Sequence, residues 1–228
     1  MTIVLPRPCG SLDASHQVEA SYPWCQWRHW YEHRMGWPTL GGRPLELLTG
    51  VRFDVLELPA DAGFAVLGRV PRTGPVAYDG QARRMRFLTA AGSADELPAL
   101  LDWLEWGGVT LELTALGPGG RMAAPAPVGG GRGRCGRLGP SGSREAVWVR
   151  PPEPGCEVEP TLPAYGLGGD GGAPDLVRLV SAAATECHRT RLLRAGKARR
   201  DQPTGNQPLA FSYASRMSAG TRPRSLTL

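Results

Sequence analysis

The sequence nearly lacks lysine, which occurs once, at Lys197, among 26 basic residues. Arginine supplies the rest, and the chain also carries 31 glycines and 22 prolines. This bias is typical of a GC-rich genome, so the arginine content does not by itself indicate a polyanionic partner. The glycine and proline content instead predicts loose segments beside one mid-sized domain.

The sequence also lacks cysteine pairs and long apolar runs. Its five cysteines are widely spaced and form no Cys-x-x-Cys pair, which argues against a zinc ribbon or a thioredoxin-type redox motif. The short run Ile3–Leu5, ended by Pro6, is too short for a signal sequence. No stretch approaches the ~20 apolar residues of a membrane span. We therefore expect a reduced, cytoplasmic protein.

Charge is distributed unevenly along the chain. The formal net charge is +5, yet residues 189–228 hold nine basic residues and one acid, Asp201. The remaining 188 residues are net acidic, which argues against duplex-DNA binding by the folded body. We predict a loose leader over 1–19, one domain over 20–195 with a Gly/Pro/Arg-rich insertion at 117–145, and a disordered basic tail over 196–228.

A carboxylate stands where a predicted strand meets a predicted helix. Val51–Leu58 is a mostly apolar strand, and Pro59 followed by Asp61 is typical of a helix start. Glu57 lies at this junction. Two-metal chemistry usually needs a second carboxylate two residues on, because side chains at i and i+2 leave a strand on the same face. That position is Pro59.

A second candidate acid lies in a later strand. Val109–Leu113 alternates, which places Glu112 on the face opposite the apolar residues. Glu112 is either a solvated residue of an open sheet face or a partner of Glu57 in a shared cleft. Between these strands we predict a hairpin through Asp79-Gly80 and a helix with Ser93 as N-cap. A last helix begins at Pro174 and ends before Gly196.

The segment from Tyr22 to Met35 is rich in aromatic residues at helical spacing, including Trp24, Trp27, Trp30 and Tyr31. They either pack a short helix on the sheet or form a base-stacking platform. Cys25, His29 and His33 also share one helical face. They span about 12 Å of helix axis, so one zinc ion cannot bind all three, although an adjacent pair with distant ligands can.

Four motifs in order carry a resemblance to a known family. They are Trp30–Thr39, Thr49-Gly50, Phe53–Gly63 and Leu111–Pro125. Over residues 20–190 the chain resembles the N-terminal domain of bifunctional DNA primase/polymerases (prim-pol), especially its divergent actinobacterial versions. The resemblance implies an α/β (α+β) fold: a single domain with a mixed, largely antiparallel sheet and an RRM-like half.

The resemblance also implies a site. It assigns the catalytic and metal-binding carboxylates to Glu57 and Glu112, with Mg or Mn as the metal, and puts the second acid of the family at Pro59. The phosphate-binding histidine of the family falls near Arg84, so we expect Arg84 and Arg86 to bind phosphate as fixed charges.

We therefore expect a catalytically degenerate prim-pol-like protein that binds nucleotide or nucleic acid through the cleft or the tail. The alternatives are an active metal-dependent nucleotidyltransferase with a further acid, and an interaction module whose basic tail docks on an acidic partner or nucleic acid.

Overall fold

The computed structural model describes residues 23–41, 44–127, 146–153, 157–165 and 174–201. The predicted leader lies outside this part of the chain, as do residues 128–145 of the predicted insertion and 202–228 of the predicted tail. By its internal contacts the chain divides into two units, Met1–Leu192 and Leu193–Leu228.

The described residues form four α-helices and eight strands, with one π-helical turn and one 3-10 turn. In chain order the elements are α1 (Pro23–His29), the π-helical turn (Trp30–Arg34), β1 (Thr39–Leu40), β2 (Glu46–Leu48), β3 (Asp54–Pro59), α2 (Ala60–Arg69), β4 (Val76–Asp79), β5 (Arg84–Thr89), α3 (Ser93–Trp103), β6 (Thr114–Leu116), β7 (Arg121–Ala123), β8 (Ala146–Arg150), the 3-10 turn (Glu159–Thr161) and α4 (Leu176–Asp201).

The larger sheet has five strands in the order β6-β3-β5-β4-β8, and every neighbouring pair is antiparallel. The run β3-α2-β4-β5-α3-β6 supplies four of these strands, and β5 is inserted between β3 and β4. A smaller antiparallel sheet has the order β1-β2-β7. The α+β class predicted from the sequence is confirmed.

Each face of the larger sheet covers a separate hydrophobic core. On one face Leu56, Leu58 and Phe87 pack with apolar residues of α2, α3 and α4. On the other face Val55 and Leu88 pack with residues of the smaller sheet and the aromatic segment. Since side chains alternate along a strand, Glu57 lies on the second face, with Val55.

A buried carboxylate of β3 caps helix α3. Asp54 is fully buried, and its Oδ2 accepts a hydrogen bond from the Ala94 N–H at 2.9 Å. The N-cap residue of α3 is Gly92, and no hydrogen bond from its own side chain is possible. The prediction of Ser93 as N-cap is therefore wrong, because a carboxylate 40 residues away in sequence occupies the capping position.

Several predicted bounds are also wrong. The predicted strand Val51–Leu58 is β3, which begins at Asp54, since the Gly50 N–H donates to Phe53 O and closes a turn over the residues before it. The last helix passes through Gly196 to Asp201. Within the described part of the predicted insertion, Met122 is buried in β7, and the Tyr31 hydroxyl donates to Pro125 O at 2.6 Å.

Among the helices that the structure describes, none combines the length and the apolar character needed to cross a membrane.

Candidate functional site

The candidate site lies on β3 and β5, on the face of the larger sheet that α2, α3 and α4 do not cover. Glu57 is directly opposite Arg86 in the β3–β5 ladder, and Pro59 is opposite Arg84. In an antiparallel pair, residues directly opposite share a face. The register therefore places both predicted phosphate-binding arginines beside the predicted metal-binding carboxylate.

Both oxygens of the Glu57 carboxylate accept hydrogen bonds from arginine. The Arg84 Nε–H donates to Oε1 at 3.1 Å, and the Arg86 Nε–H donates to Oε2 at 2.8 Å. The exposed fraction of each side chain is small: 16% for Glu57, 20% for Arg84 and 11% for Arg86. Partial burial reduces screening by water and salt, so each guanidinium stabilises the carboxylate more than a surface partner would.

A second acid completes this group. Arg86 Nη1 lies 2.9 Å from Asp79 Oδ2, an ion pair whose angles fall outside hydrogen-bond geometry. The other oxygen of Asp79 accepts hydrogen bonds from the backbone N–H groups of Gln81 and Ala82, which fixes the β4–β5 turn. We call Glu57, Asp79, Arg84 and Arg86 the Glu57 quartet.

The formal charges of the Glu57 quartet cancel, with two carboxylates against two guanidinium groups. Two guanidinium groups already hydrogen-bond to the carboxylate oxygens of Glu57 that a divalent cation would need as ligands. Their positive charges repel a cation at this position. A phosphate at Arg84 or Arg86 has to displace a carboxylate that already holds the Nε–H donor. The arrangement thus favours a closed ion-pair network over an open binding site for an ion of either sign.

The sequence predicts that Glu112 lies in a strand, but the structure has no strand at this position. The strand β6 begins at Thr114, and residues 107–113 form turns and extended chain, so the predicted strand Val109–Leu113 is wrong. The strand that follows, β6, pairs with β3 and places Thr114 opposite Glu57, whereas residues 109–113 lie outside the sheet. Glu112 is exposed, and its backbone carbonyl accepts a hydrogen bond from Arg84 Nη2 at 3.2 Å.

Arg84 therefore connects the two predicted acids. It donates to the carboxylate of one and to the backbone carbonyl of the other. Pro59, at the position of the family's second acid, is the N-cap residue of α2 and offers no side-chain ligand. In the part of the chain that the structure describes, no three His, Cys, Asp or Glu residues are grouped to hold a metal ion.

The aromatic segment belongs mainly to the core. Tyr31 and Trp37 are buried, and their rings are 5.9 Å apart and nearly parallel. Burial raises the pKa of the Tyr31 phenol well above its ordinary value, although the Trp148 Nε1–H bond to its oxygen acts in the opposite direction. Trp27 and Trp30 pack partly buried against the same core. These contacts favour packing over a base-stacking platform.

The predicted alignment of Cys25, His29 and His33 on one helical face is disturbed, because the helix changes its type within this segment. The α-helix ends at His29 and continues as a π-helical turn, which changes the angular spacing of the following residues. The rings of His29 and His33 lie 4.3 Å apart. Neither histidine belongs to a three-ligand group among the described residues.

Asp79 is the member of the Glu57 quartet that the sequence analysis missed as a site residue. Its Asp-Gly dipeptide predicts a hairpin turn and does not by itself indicate a site. The alternation Arg84-Met85-Arg86 places two cations on one face of β5, which predicts acids on both neighbouring strands. That signal points to Asp79 on β4 as well as to Glu57 on β3.

No family model, curated protein or solved structure matches the chain.

Proposed function

We propose that this protein is a catalytically degenerate prim-pol-like domain that acts by binding nucleic acid. The observation that carries the proposal is the pair of arginine hydrogen bonds that occupies both oxygens of Glu57. The strand order β6-β3-β5-β4, made by the β3-α2-β4-β5-α3-β6 run, supports it because an RRM-like half has this arrangement.

Loss of catalysis follows from the charges around Glu57. A two-metal mechanism requires carboxylates that clamp two cations roughly 4 Å apart. Here guanidinium groups take the positions beside Glu57, Pro59 replaces the second acid, and Glu112 lies in an exposed bend. Loss of a bridging carboxylate alone removes several kcal/mol of transition-state stabilisation.

The binding function rests on the C-terminal half of α4. Residues 189–200 carry six basic side chains and no acid, and all six are exposed: Arg189, Arg191, Arg194, Lys197, Arg199 and Arg200. A helix holds these charges in place before binding, so less conformational entropy is lost than in a disordered segment. Arginine and lysine contacts to phosphate make binding independent of sequence and sensitive to salt.

We expect the purified protein to show no metal-dependent nucleotide incorporation. A primed and an unprimed template are incubated with nucleoside triphosphates and magnesium or manganese, and the products are separated on a gel. Wild type and the Glu57→Gln variant are expected to give the same background. Magnesium- or manganese-dependent extension that Glu57→Gln abolishes contradicts the proposal and establishes the active nucleotidyltransferase.

We expect polynucleotide binding to depend on the end of α4. The variant Lys197→Gln/Arg199→Gln/Arg200→Gln should bind more weakly. The slope of log Kd against the logarithm of the salt concentration should fall by about 2 to 3, because each phosphate contact contributes about 0.9 to this slope. The matched control replaces three other exposed arginines, Arg34, Arg83 and Arg178, by glutamine. It changes the net charge equally and should keep most of the affinity.

Truncation after Ala195 separates folding from binding. The truncated protein should melt at the same temperature as the full chain and bind polynucleotide with a reduced salt slope. Equal loss of binding in both triple variants, or undiminished binding after truncation, places the nucleic-acid site elsewhere and contradicts this part of the proposal.

A further inference from the structure

A groove of about 320 Å³ lies against α3 and contains no residue of the Glu57 quartet. It is lined by Glu96, Ala99, Leu100, Trp103 and Tyr165. Glu96, Ala99, Leu100 and Trp103 recur at the helical spacing of three and four residues, so they form one stripe of α3. The volume falls in the range of small-ligand pockets.

Two exposed aromatic side chains border this groove. Trp103 is 71% exposed and Tyr165 is 57% exposed, although most other aromatic side chains of the described chain pack in the two cores. Exposing a large aromatic surface costs hydrophobic free energy that burial would recover. Such exposure beside a concave apolar surface indicates a binding site.

The charged side chains of α3 and the residues just after it are of one sign. Residues 93–105 contain four acids and no basic residue, and the acids Asp95, Glu96, Asp102 and Glu105 are all exposed. Glu96 makes no ion pair with the residues that the structure describes, and it alone of these acids lines the groove. A carboxylate in the lining favours a cationic ligand over the polyanion proposed for the end of α4.

We infer that the groove binds an arginine side chain of a basic peptide segment on a partner protein. The guanidinium group is planar, stacks on an aromatic face and donates two hydrogen bonds to a carboxylate. Trp103 and Tyr165 supply the aromatic faces, Glu96 supplies the carboxylate, and Leu100 lies beneath. This inference does not depend on the proposed function, because it uses no residue of the Glu57 quartet or of residues 189–200.

The test uses fluorescein-labelled Gly-Arg-Gly-Arg-Gly and its citrulline counterpart, which keeps the shape of arginine but carries no charge. Binding to the full chain is followed by fluorescence anisotropy at low salt. The variants are Trp103→Leu, which removes the ring but keeps an apolar side chain, and Glu96→Gln. The matched control is Asp95→Asn, an exposed acid in the same first turn of α3 that does not line the groove.

We expect the arginine peptide to bind, and Trp103→Leu and Glu96→Gln each to weaken binding by about 5- to 30-fold. Asp95→Asn should stay within about twofold of wild type, and the citrulline peptide should lose as much affinity as Glu96→Gln does. Equal binding of the citrulline peptide, or equal losses in Glu96→Gln and Asp95→Asn, overturns the inference. N-acetylarginine methylamide that competes as strongly as the peptide overturns the assignment to a peptide ligand.

Discussion

Replacing Arg86 by methionine should lower the free energy of unfolding by about 3 kcal/mol, the lower end of the cost of breaking a buried ion pair. Arg86 lies between two carboxylates, 2.8 Å from Glu57 and 2.9 Å from Asp79, and its side chain is 11% exposed. Methionine fills most of the volume but leaves two partly buried negative charges with one guanidinium. Urea-induced unfolding measures the loss, and the melting temperature should fall by about 6–12 °C.

The control for this prediction restores neutrality without restoring arginine. The triple variant Arg86→Met/Glu57→Gln/Asp79→Asn should recover much of the lost stability, because the unpaired charges are then absent. Arg86→Lys keeps the charge but loses the planar donor geometry, so it should lie between wild type and Arg86→Met. A loss below about 1 kcal/mol for Arg86→Met, the value of a surface ion pair, would contradict the buried network.

Replacing Gly50 by alanine should destabilise the protein by more than about 3 kcal/mol or prevent folding, because strain and a backbone clash act together. Gly50 has φ +83°, and a Cβ atom there would lie 2.2 Å from the Cα of Pro118. The neighbouring Thr49 holds the same turn by donating from its hydroxyl to Gly117 O at 2.7 Å. This contact opposes a separation of the two backbone segments.

Gly119 provides the matched control. It lies in the same turn as Pro118 and has φ +78°, yet a Cβ atom there meets nothing within 4 Å. Gly119→Ala therefore tests backbone strain alone and should cost about 1 to 2 kcal/mol. Thermal or urea unfolding of the two variants separates the two effects. Similar losses for both would show that the close approach of residues 50 and 118 is unimportant for stability.

The sequence predicts best those elements that have a clear hydrophobic pattern or a clear turn signal. The apolar strand β3 and the hairpin of β4 and β5 around Asp79-Gly80 each follow from a local sequence pattern of adequate length. The smaller sheet was missed because β1, β2 and β7 have two or three residues each. A strand that short has no period to detect, and its pairing depends on contacts distant in sequence.

The segment before β6 shows why an alternating pattern can mislead. Leu111 and Leu113 do pack against the helix-side core, as the alternation predicted. The backbone there makes no strand ladder. The Val109 N–H donates to Trp106 O, and Thr110 O accepts a hydrogen bond from Arg191 Nη1 on α4. An extended chain over a core needs the same alternation as a strand, so the pattern cannot distinguish them.

The sequence predicts three of the four members of the Glu57 quartet, but neither Asp79 nor the ion pairs that close the site. Glu57, Arg84 and Arg86 were all identified from the sequence, and they lie together. The hydrogen bonds between them depend on the β3–β5 register, which places Glu57 directly opposite Arg86. A shift of one residue would turn these side chains to opposite faces, and the sequence does not specify the register at that precision.

The central claim is that Arg84 and Arg86 neutralise the Glu57 carboxylate and leave no site for a metal ion at its oxygens. Its most direct test is the thermal unfolding of wild type and Glu57→Gln with and without manganese. We predict that Glu57→Gln melts at a lower temperature, because two partly buried guanidinium groups lose their shared anion. Manganese should leave both melting temperatures unchanged. A Glu57→Gln variant that melts higher than wild type, together with a manganese stabilisation of wild type that the variant lacks, would show that Glu57 is a metal ligand.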